Sequence, residues 1–248
     1  MKVIIPIVEN EIKTDGMSYC RSLYEIERKT IIQHICESIT KIRNADYIFI
    51  LNKLNVEKYH LDSVIKLLIP SSKIVISQGM TKGSICSCLL AMDYLKLDEP
   101  LVITGGDQIA TINLNDAVEY FQKNDYDGGM ITFPDIHPRW SYVRLNEQRL
   151  VVEAAEKHPI SHTATTGFYY FKYTDDFIKS AFSMIKKNAN VNGKYYVCPV
   201  YNEMILQQKL IGIYPIDKEQ YFNFSHFKGI ELYEEYCRRY KDESEKVR

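Results

Sequence analysis

The stretch Leu101-Val102-Ile103-Thr104-Gly105-Gly106-Asp107-Gln108 decides the reading of this 248-residue chain. Four apolar or β-branched residues make a short strand, two glycines break it, and an acidic residue stands at its carboxyl end. A strand with no polar alternation is one buried on both faces, as in a parallel sheet covered by helices. Working outward, similar runs occupy 2–8, 46–51 and 73–77, with this one placed at 100–104. Segments of helical apolar spacing lie at 28–43, 55–68, 83–97 and 113–124. Strand alternating with helix at these lengths implies parallel strands joined by right-handed crossovers. Asn113 before Leu114, and Gly83-Ser84 before an apolar run, signal helix starts. After Gly128-Gly129 the pattern changes: strands at 129–134, 141–145, 149–154 and 166–172 follow without long helices, which implies antiparallel or mixed additions. Helices at 175–190, 196–209 and 229–240 and a strand at 211–216 complete the chain. It reads as one α/β domain, its tail from Glu231 to Arg248 a solvated, fraying helix.

Composition narrows the partners. With 31 Lys+Arg against 32 Asp+Glu the net charge is −1, so no global field draws nucleic acid or an anionic membrane surface. The 19 tyrosines are scattered and form no basic-aromatic stripe for single strands. A hydrophobic share of 46% with 25% charged residues is ordinary globular composition. No apolar run approaches the roughly 18 residues of a membrane helix. The N-terminus shows no signal-peptide anatomy, and six cysteines without a disulfide framework suit reduced thiols in a cytoplasm. Cys86-x-Cys88 is too tight for a redox pair, so the cysteines are expected to be packing residues.

In open parallel sheets, ligands bind beyond the carboxyl ends of the strands, where strand order reverses. Asp107 is presented there, beside glycines that let a ligand approach the backbone. One carboxylate suits a magnesium ion already held by phosphates, or it makes an Asx-turn. In Gln78-Gly79-Met80-Thr81-Lys82-Gly83-Ser84, Gly83 at a helix start lets backbone N–H groups face an anion or a base edge, or is a plain turn. Lys157, in Glu153-Ala154-Ala155-Glu156-Lys157-His158-Pro159, either holds a phosphate as a point charge or joins a surface ion cluster. His34 and His60 sit on helices. His158, His162 and His226 sit in loops without a nucleophile or carboxylate at a recognisable spacing. Asp125-Tyr126-Asp127 is an acidic pair, but it precedes a strand instead of following one.

Taken together, these segments resemble the sugar-phosphate nucleotidyltransferase superfamily, which shares its fold with glycosyltransferase-A enzymes. Gln78 with Gly83 resembles its base-contacting Gln and Gly, Gly106-Asp107 its metal-holding Gly-Asp, and Glu156-Lys157-His158-Pro159 its Glu-Lys-x-Pro. Thr166-Gly167-Phe168-Tyr169-Tyr170 resembles the Gly-x-Tyr strand of its acceptor pocket. More narrowly, His137-Pro138-Arg139-Trp140-Ser141, Ala164-Thr165-Thr166-Gly167 and Tyr195-Tyr196-Val197-Cys198-Pro199-Val200-Tyr201-Asn202-Glu203 resemble a branch found in bacterial capsule-biosynthesis loci.

The resemblance implies a three-layer α/β/α Rossmann-like domain with a mixed, mainly parallel sheet. Residues 1–127 would form its nucleotide-binding half, 128–228 its acceptor-binding half, and 229–248 a C-terminal helix and tail. It implies a Mg²⁺-dependent nucleotidyltransferase that joins a nucleoside triphosphate, CTP as the first expectation, to a small phosphorylated substrate. Arg21 and Lys157 would be catalytic. Val8, Lys13, Gln78, Gly83, Gly106 and Gln108 would bind the nucleotide, and Glu156, Gly167, Tyr169 and Asn202 the acceptor. Asp107 and Asn223 would hold the metal. The departure lies after the first strand, where the family reads Ala-Gly-x-Gly-x-Arg and then Pro-Lys-Pro. Here the chain reads Ile7-Val8-Glu9-Asn10-Glu11-Ile12-Lys13, and then Cys20-Arg21-Ser22. The alternatives are a nucleotide-sugar-dependent glycosyltransferase and a non-catalytic ligand- or partner-binding relative. The tyrosine-rich C-terminal helix offers a face for a homodimer or a cover for the sheet's own edge.

Overall fold

The computed structural model describes residues 1–8, 11–14 and 17–246, with 12–14, 17 and 240–246 described as backbone alone. Nine strands form the main sheet: β1 (Lys2–Ile7), β2 (Asp46–Asn52), β3 (Lys73–Ser77), β4 (Leu101–Thr104), β5 (Gly128–Pro134), β6 (Ser141–Leu145), β7 (Val151–Glu156), β8 (Thr163–Phe171) and β9 (Ile211–Pro215). Their order is β7-β6-β8-β4-β1-β2-β3, and β5 lies between β8 and β9. Strands β3, β2, β1 and β4 are parallel, β8 runs antiparallel to β4 and β5, and β5 is parallel to β9. The expected mixed, mainly parallel sheet is the one observed. Strand order reverses at β1, which places the ends of β1 and β4 side by side at the mouth of the sheet.

Both faces of this sheet are covered, which explains its apolar strands. Val3, Ile5, Phe49, Leu51 and Val102 point into one core, while Ile4, Ile48, Ile50, Leu101 and Ile103 point into the other. The period of two sends alternate residues to opposite helix layers. Helices α1 (Ile31–Ile39), α3 (Leu61–Leu68), α5 (Leu114–Lys123) and α8 (Phe227–Lys246) bury apolar residues in the first core. Helices α4 (Ser84–Leu89), α6 (Thr174–Lys186) and α7 (Val200–Leu206) bury theirs in the second. In α1 the buried Ile31, Ile35 and Ile39 recur every fourth residue, one stripe of the helix.

Several helices are shorter than the apolar spacing suggests, because local caps stop them. Thr30 caps α1 by accepting from the Gln33 N–H at 3.3 Å, and Glu27 and Arg28 before it turn with positive φ. The expected helix over 55–68 is two: α2 (Lys53–Glu57), capped by Asn52, and α3, divided from it at His60 with φ 49°. That over 83–97 stops at Leu89, with a 3₁₀ turn following at Met92–Tyr94. Strand β8 begins three residues before its expected start. Three two-stranded ribbons carry no clear signal in the sequence, and one of them pairs Tyr221–Asn223 with Gln108–Ala110. The C-terminal segment is no bare solvated helix: Ile230 and Tyr233 are buried, and Tyr233 packs on Phe222 and Phe224.

Candidate active site

A cleft of about 660 Å³ opens where β1 and β4 end. The loop after β4 forms its floor. Gly106 lies so close to β1 that a Cβ there would stand 2.3 Å from Ile7 Cγ1, which is why glycine follows this strand. The Phe224 N–H donates to the Asp107 carbonyl at 2.7 Å, tying the loop down. The Asp107 carboxylate then faces the cleft, its Oδ2 accepting from the Ser225 hydroxyl at 2.9 Å. The buried Arg21 guanidinium reaches within 4.0 Å of the same oxygen.

The opposite wall is built on the bent strand β8. Its pairing with β5 shifts register between Met130 and Thr132, and Gly167 takes φ 85° at the bend. On one side of the bend Tyr169 pairs with Ile103 of β4, and on the other Ala164 pairs with Tyr142 of β6. The bend swings the β6–β7 hairpin over the cleft and brings Ser141, Glu156 and Lys157 to its edge. Ser141 Oγ donates to Glu156 Oε2. Burial pushes the Glu156 carboxyl above the usual carboxylate range against the lowering effect of that hydrogen bond. Lys157 has φ 54°, its N–H donates to the Trp140 carbonyl at 3.0 Å, and its Nζ donates to the Tyr196 hydroxyl at 3.2 Å. Tyr169, buried at the base, shares a 3.0 Å hydrogen bond with Thr165.

The cleft thus brings together Val8, Arg21, Gly83, Gly106, Asp107, Gln108, Glu156, Lys157, Gly167 and Tyr169 of the residues singled out in the sequence. Gln108 serves partly as a brace, because its Oε1 accepts from the Tyr221 hydroxyl at 3.0 Å. Gly83 is needed for packing: with φ 106°, a Cβ would stand 2.3 Å from the Tyr195 carbonyl, whose oxygen also accepts from the Ile85 N–H. Helix α4, of six residues and with that N–H already engaged, is no anion site of its own.

Three expected residues stand elsewhere. Gln78 is exposed and outside the lining, two and three residues ahead of Met80 and Thr81, which do line the cleft. Asn202 lies outside the cleft lining and clamps β7, its carboxamide bonded to both the N–H and the carbonyl of Ala154 at 2.8 Å. Asn223 lines an adjoining cavity, and its Oδ1 accepts from the Ser225 N–H, so Ser225 is the residue that meets Asp107. The Lys13 side chain, and Glu9 and Asn10, lie outside the described residues. Asp125 and Asp127 pair with Lys172 and Lys209, a structural use.

Sequence reasoning passed over Ser141, Tyr196 and Ser225 as partners of Glu156, Lys157 and Asp107. Each lies inside or next to a segment singled out in the sequence, but its partner is remote in the chain. It also left Glu11 without a position: Glu11 lines the cleft, and the Tyr59 hydroxyl leads the hydrogen bonds that hold its carboxyl below the usual range.

Among the described residues no group of three or more His, Cys, Asp or Glu gathers to cage an ion. One carboxylate, Asp107, fits an ion that brings most of its oxygens from phosphate and water.

Comparison with solved structures finds the same architecture. The chain is similar to a nucleoside-diphosphate-sugar pyrophosphorylase from Vibrio cholerae RC9, with TM-score 0.76 at 17% identity over 93% of this chain and 98% of that one. It is also similar to the inositol-1-phosphate CTP transferase from T. maritima, with TM-score 0.70 at 11% identity over 92% of this chain and 90% of that one. A UDP-glucose pyrophosphorylase complexed with UDP-glucose gives TM-score 0.71 at 14% identity, over 96% of this chain and 98% of that one. The search of curated proteins returned no match. The family model described as "Nucleotidyl transferase" matches residues 18–201, from the ribbon before Arg21 to the start of α7. With most of the chain matched, this protein belongs to the nucleotidyl transferase family.

Proposed function

We propose that the chain transfers a nucleotidyl group from a nucleoside triphosphate to a small phosphorylated metabolite, a sugar phosphate by first expectation. The observation that carries this is the pairing, across one cleft, of the Asp107–Arg21 couple at the sheet mouth with Lys157 and Glu156 on the hairpin wall. A phosphate oxygen of the acceptor would attack the α-phosphorus, the bond to the bridging oxygen of the β-phosphate would break, and pyrophosphate would leave. Such chemistry needs positioning and charge neutralisation more than a protein nucleophile.

Arg21, buried and therefore preorganised, would meet the triphosphate. Lys157 would hold the acceptor phosphate as a point charge, steadied by Tyr196. Glu156 would form a hydrogen bond with an acceptor hydroxyl. Gly83, Gly106 and Val8 would shape the nucleotide side, and Gly167 and Tyr169 the acceptor side. Asp107 would hold Mg²⁺, which when bound supplies charge neutralisation at the phosphates. CTP as donor, a capsule or surface-polysaccharide role and a cytoplasmic setting belong to the same proposal. Among the described residues no helix is long and apolar enough to cross a membrane.

The test is a thermal-shift panel of CTP, UTP, GTP, ATP, dTTP and common nucleotide-sugars, each with and without Mg²⁺. A ligand of the folded state raises the melting temperature with its concentration over Kd. A Mg²⁺-dependent rise with one triphosphate is expected. Stabilisation by a nucleotide-sugar alone would overturn the reading in favour of glycosyl transfer.

A further inference from the structure

Beside the reacting cleft, and continuous with it through Gln108, Lys157, Gly167 and Tyr169, lies a second cavity of about 300 Å³ under the β6–β7 hairpin. Its charge is one-sided. Among the described residues its lining holds two permanent cations, Lys157 and Arg139, together with His226, and no aspartate or glutamate. Glu156 lines the main cleft and not this cavity.

The Arg139 guanidinium lies over the Trp140 ring, 4.4 Å from its centroid, so stacking holds its plane while leaving its N–H donors available. No carboxylate among the described residues comes within ion-pair distance of it. The neighbouring Asp135 is engaged elsewhere, by Lys218 Nζ at 2.9 Å and by the N–H groups of Ile136 and His137 at 2.7 and 2.8 Å. Burial pushes the Asp135 carboxyl up, but those donors outweigh it and hold it at about 2. The Lys157 N–H to Trp140 carbonyl hydrogen bond, 3.0 Å, fixes the two cation-bearing segments side by side. Both side chains are solvent-exposed, and an anionic ligand lodged in this cavity is attracted by both.

We propose that Arg139 is a specificity-determining residue for a second anionic group on the acceptor, a carboxylate or a further phosphate, beyond the phosphate that reacts. This rests on the reading of Lys157 as the holder of the reacting phosphate. One cation is then engaged by the reacting group, and Arg139 is the cation that a second anion in this cavity would meet. A planar guanidinium fork offers a paired, in-plane contact to either anion. The acceptor class is therefore a phosphorylated acid or a bisphosphate, in preference to a phosphorylated neutral sugar.

The experiment measures binding by calorimetry, with and without a non-hydrolysable triphosphate, for acceptor probes in matched sets. Glucose 1-phosphate is set against glucuronic acid 1-phosphate and glucose 1,6-bisphosphate, and glycerol 3-phosphate against 3-phosphoglycerate. Within each set the probe with the extra anion binds more tightly. Arg139→Gln removes that preference, weakening those probes by roughly ten- to hundred-fold and leaving the neutral-tailed ones and the triphosphate within two-fold, while Arg139→Lys restores part of it. The carboxylate and bisphosphate arms separate the two kinds of anion. Equal binding within every set, or an Arg139→Gln effect that falls equally on both members or on the triphosphate, overturns the inference. Absence of pyrophosphate release with every probe would instead count against nucleotidyl transfer, and the binding preference would still be read.

Discussion

The loops that follow β1 and β4 end side by side at the mouth of the sheet, yet they are built in opposite ways. The loop after β4 is locked: Gly106 packs on Ile7, the Asp107 carbonyl accepts from Phe224, and the Asp107 carboxylate accepts from Ser225. The loop after β1 leads instead into a ribbon, Glu11–Thr14 against Met17–Cys20, and the chain then brings the buried Arg21 to the cleft. It brings the acidic Glu11 to the cleft edge, held there by Tyr59 and Lys58. The difference teaches where phosphate-binding charge resides in this chain. In the proposed reading it would come from one deeply placed arginine and from the hairpin lysine, since no glycine cradle follows the first strand.

Each loop can be challenged separately, beginning with the change expected to matter most. Asp107→Asn keeps the size of the side chain and its bond to Ser225 but removes the negative charge. Turnover in a pyrophosphate assay should fall by roughly 10²–10³-fold, with an unchanged melting temperature. Full activity in that variant would break the assignment of the β4 loop as the reacting one. Gly106→Ala places a methyl group against the buried Ile7, and should cost about 2–3 kcal/mol in urea unfolding, because a packed core has no room to yield. Tyr221→Phe removes the hydroxyl that joins Gln108 Oε1 to the Thr166 carbonyl, and should cost about 1–2 kcal/mol by the same measurement.

Glu156→Gln addresses the wall facing both loops. The folded state raises the Glu156 pKa, so the wild type has its full stability below the unfolded-state value and loses some as pH rises through the folded-state value. The variant lacks that loss, and should gain stability relative to the wild type across this interval when unfolding is followed from pH 4 to pH 8. Smallest of all, Glu11→Gln should tighten triphosphate binding by roughly two- to five-fold at low salt, with the gain shrinking as salt is added. A loss of affinity on that change would make Glu11 a ligand of the site instead of a repelling neighbour.

The legible parts of the molecule were those in which each residue's reason is local. Leu101-Val102-Ile103-Thr104 and its three parallel partners announce a doubly covered sheet by lacking polar alternation, and both cores bear this out. Gly106-Asp107 announces a turn with a presented carboxylate. What stayed hidden depends on contacts remote in sequence. The bend at Gly167 is enforced by β5, β4 and β6 together, and nothing between Thr163 and Phe171 marks where one partner hands over to the next. Asn223 has the residue type expected of a metal ligand, but the turn into α8 places Ser225 on Asp107 in its stead. Asn202 lies in a segment that resembles the family, and only the packing of α7 on β7 shows its carboxamide bonded to Ala154.

The most direct test of the central claim follows phosphorus itself. Wild-type protein is mixed with the triphosphate that stabilises it, Mg²⁺ and a phosphorylated acceptor, and the products are read by phosphorus NMR and by a coupled pyrophosphate assay. The account predicts pyrophosphate in equal amount to a new diphosphate-bridged product, only when both substrates are present. Orthophosphate and a nucleoside diphosphate in their place would contradict it, because the bond broken would then not be the one at the α-phosphorus.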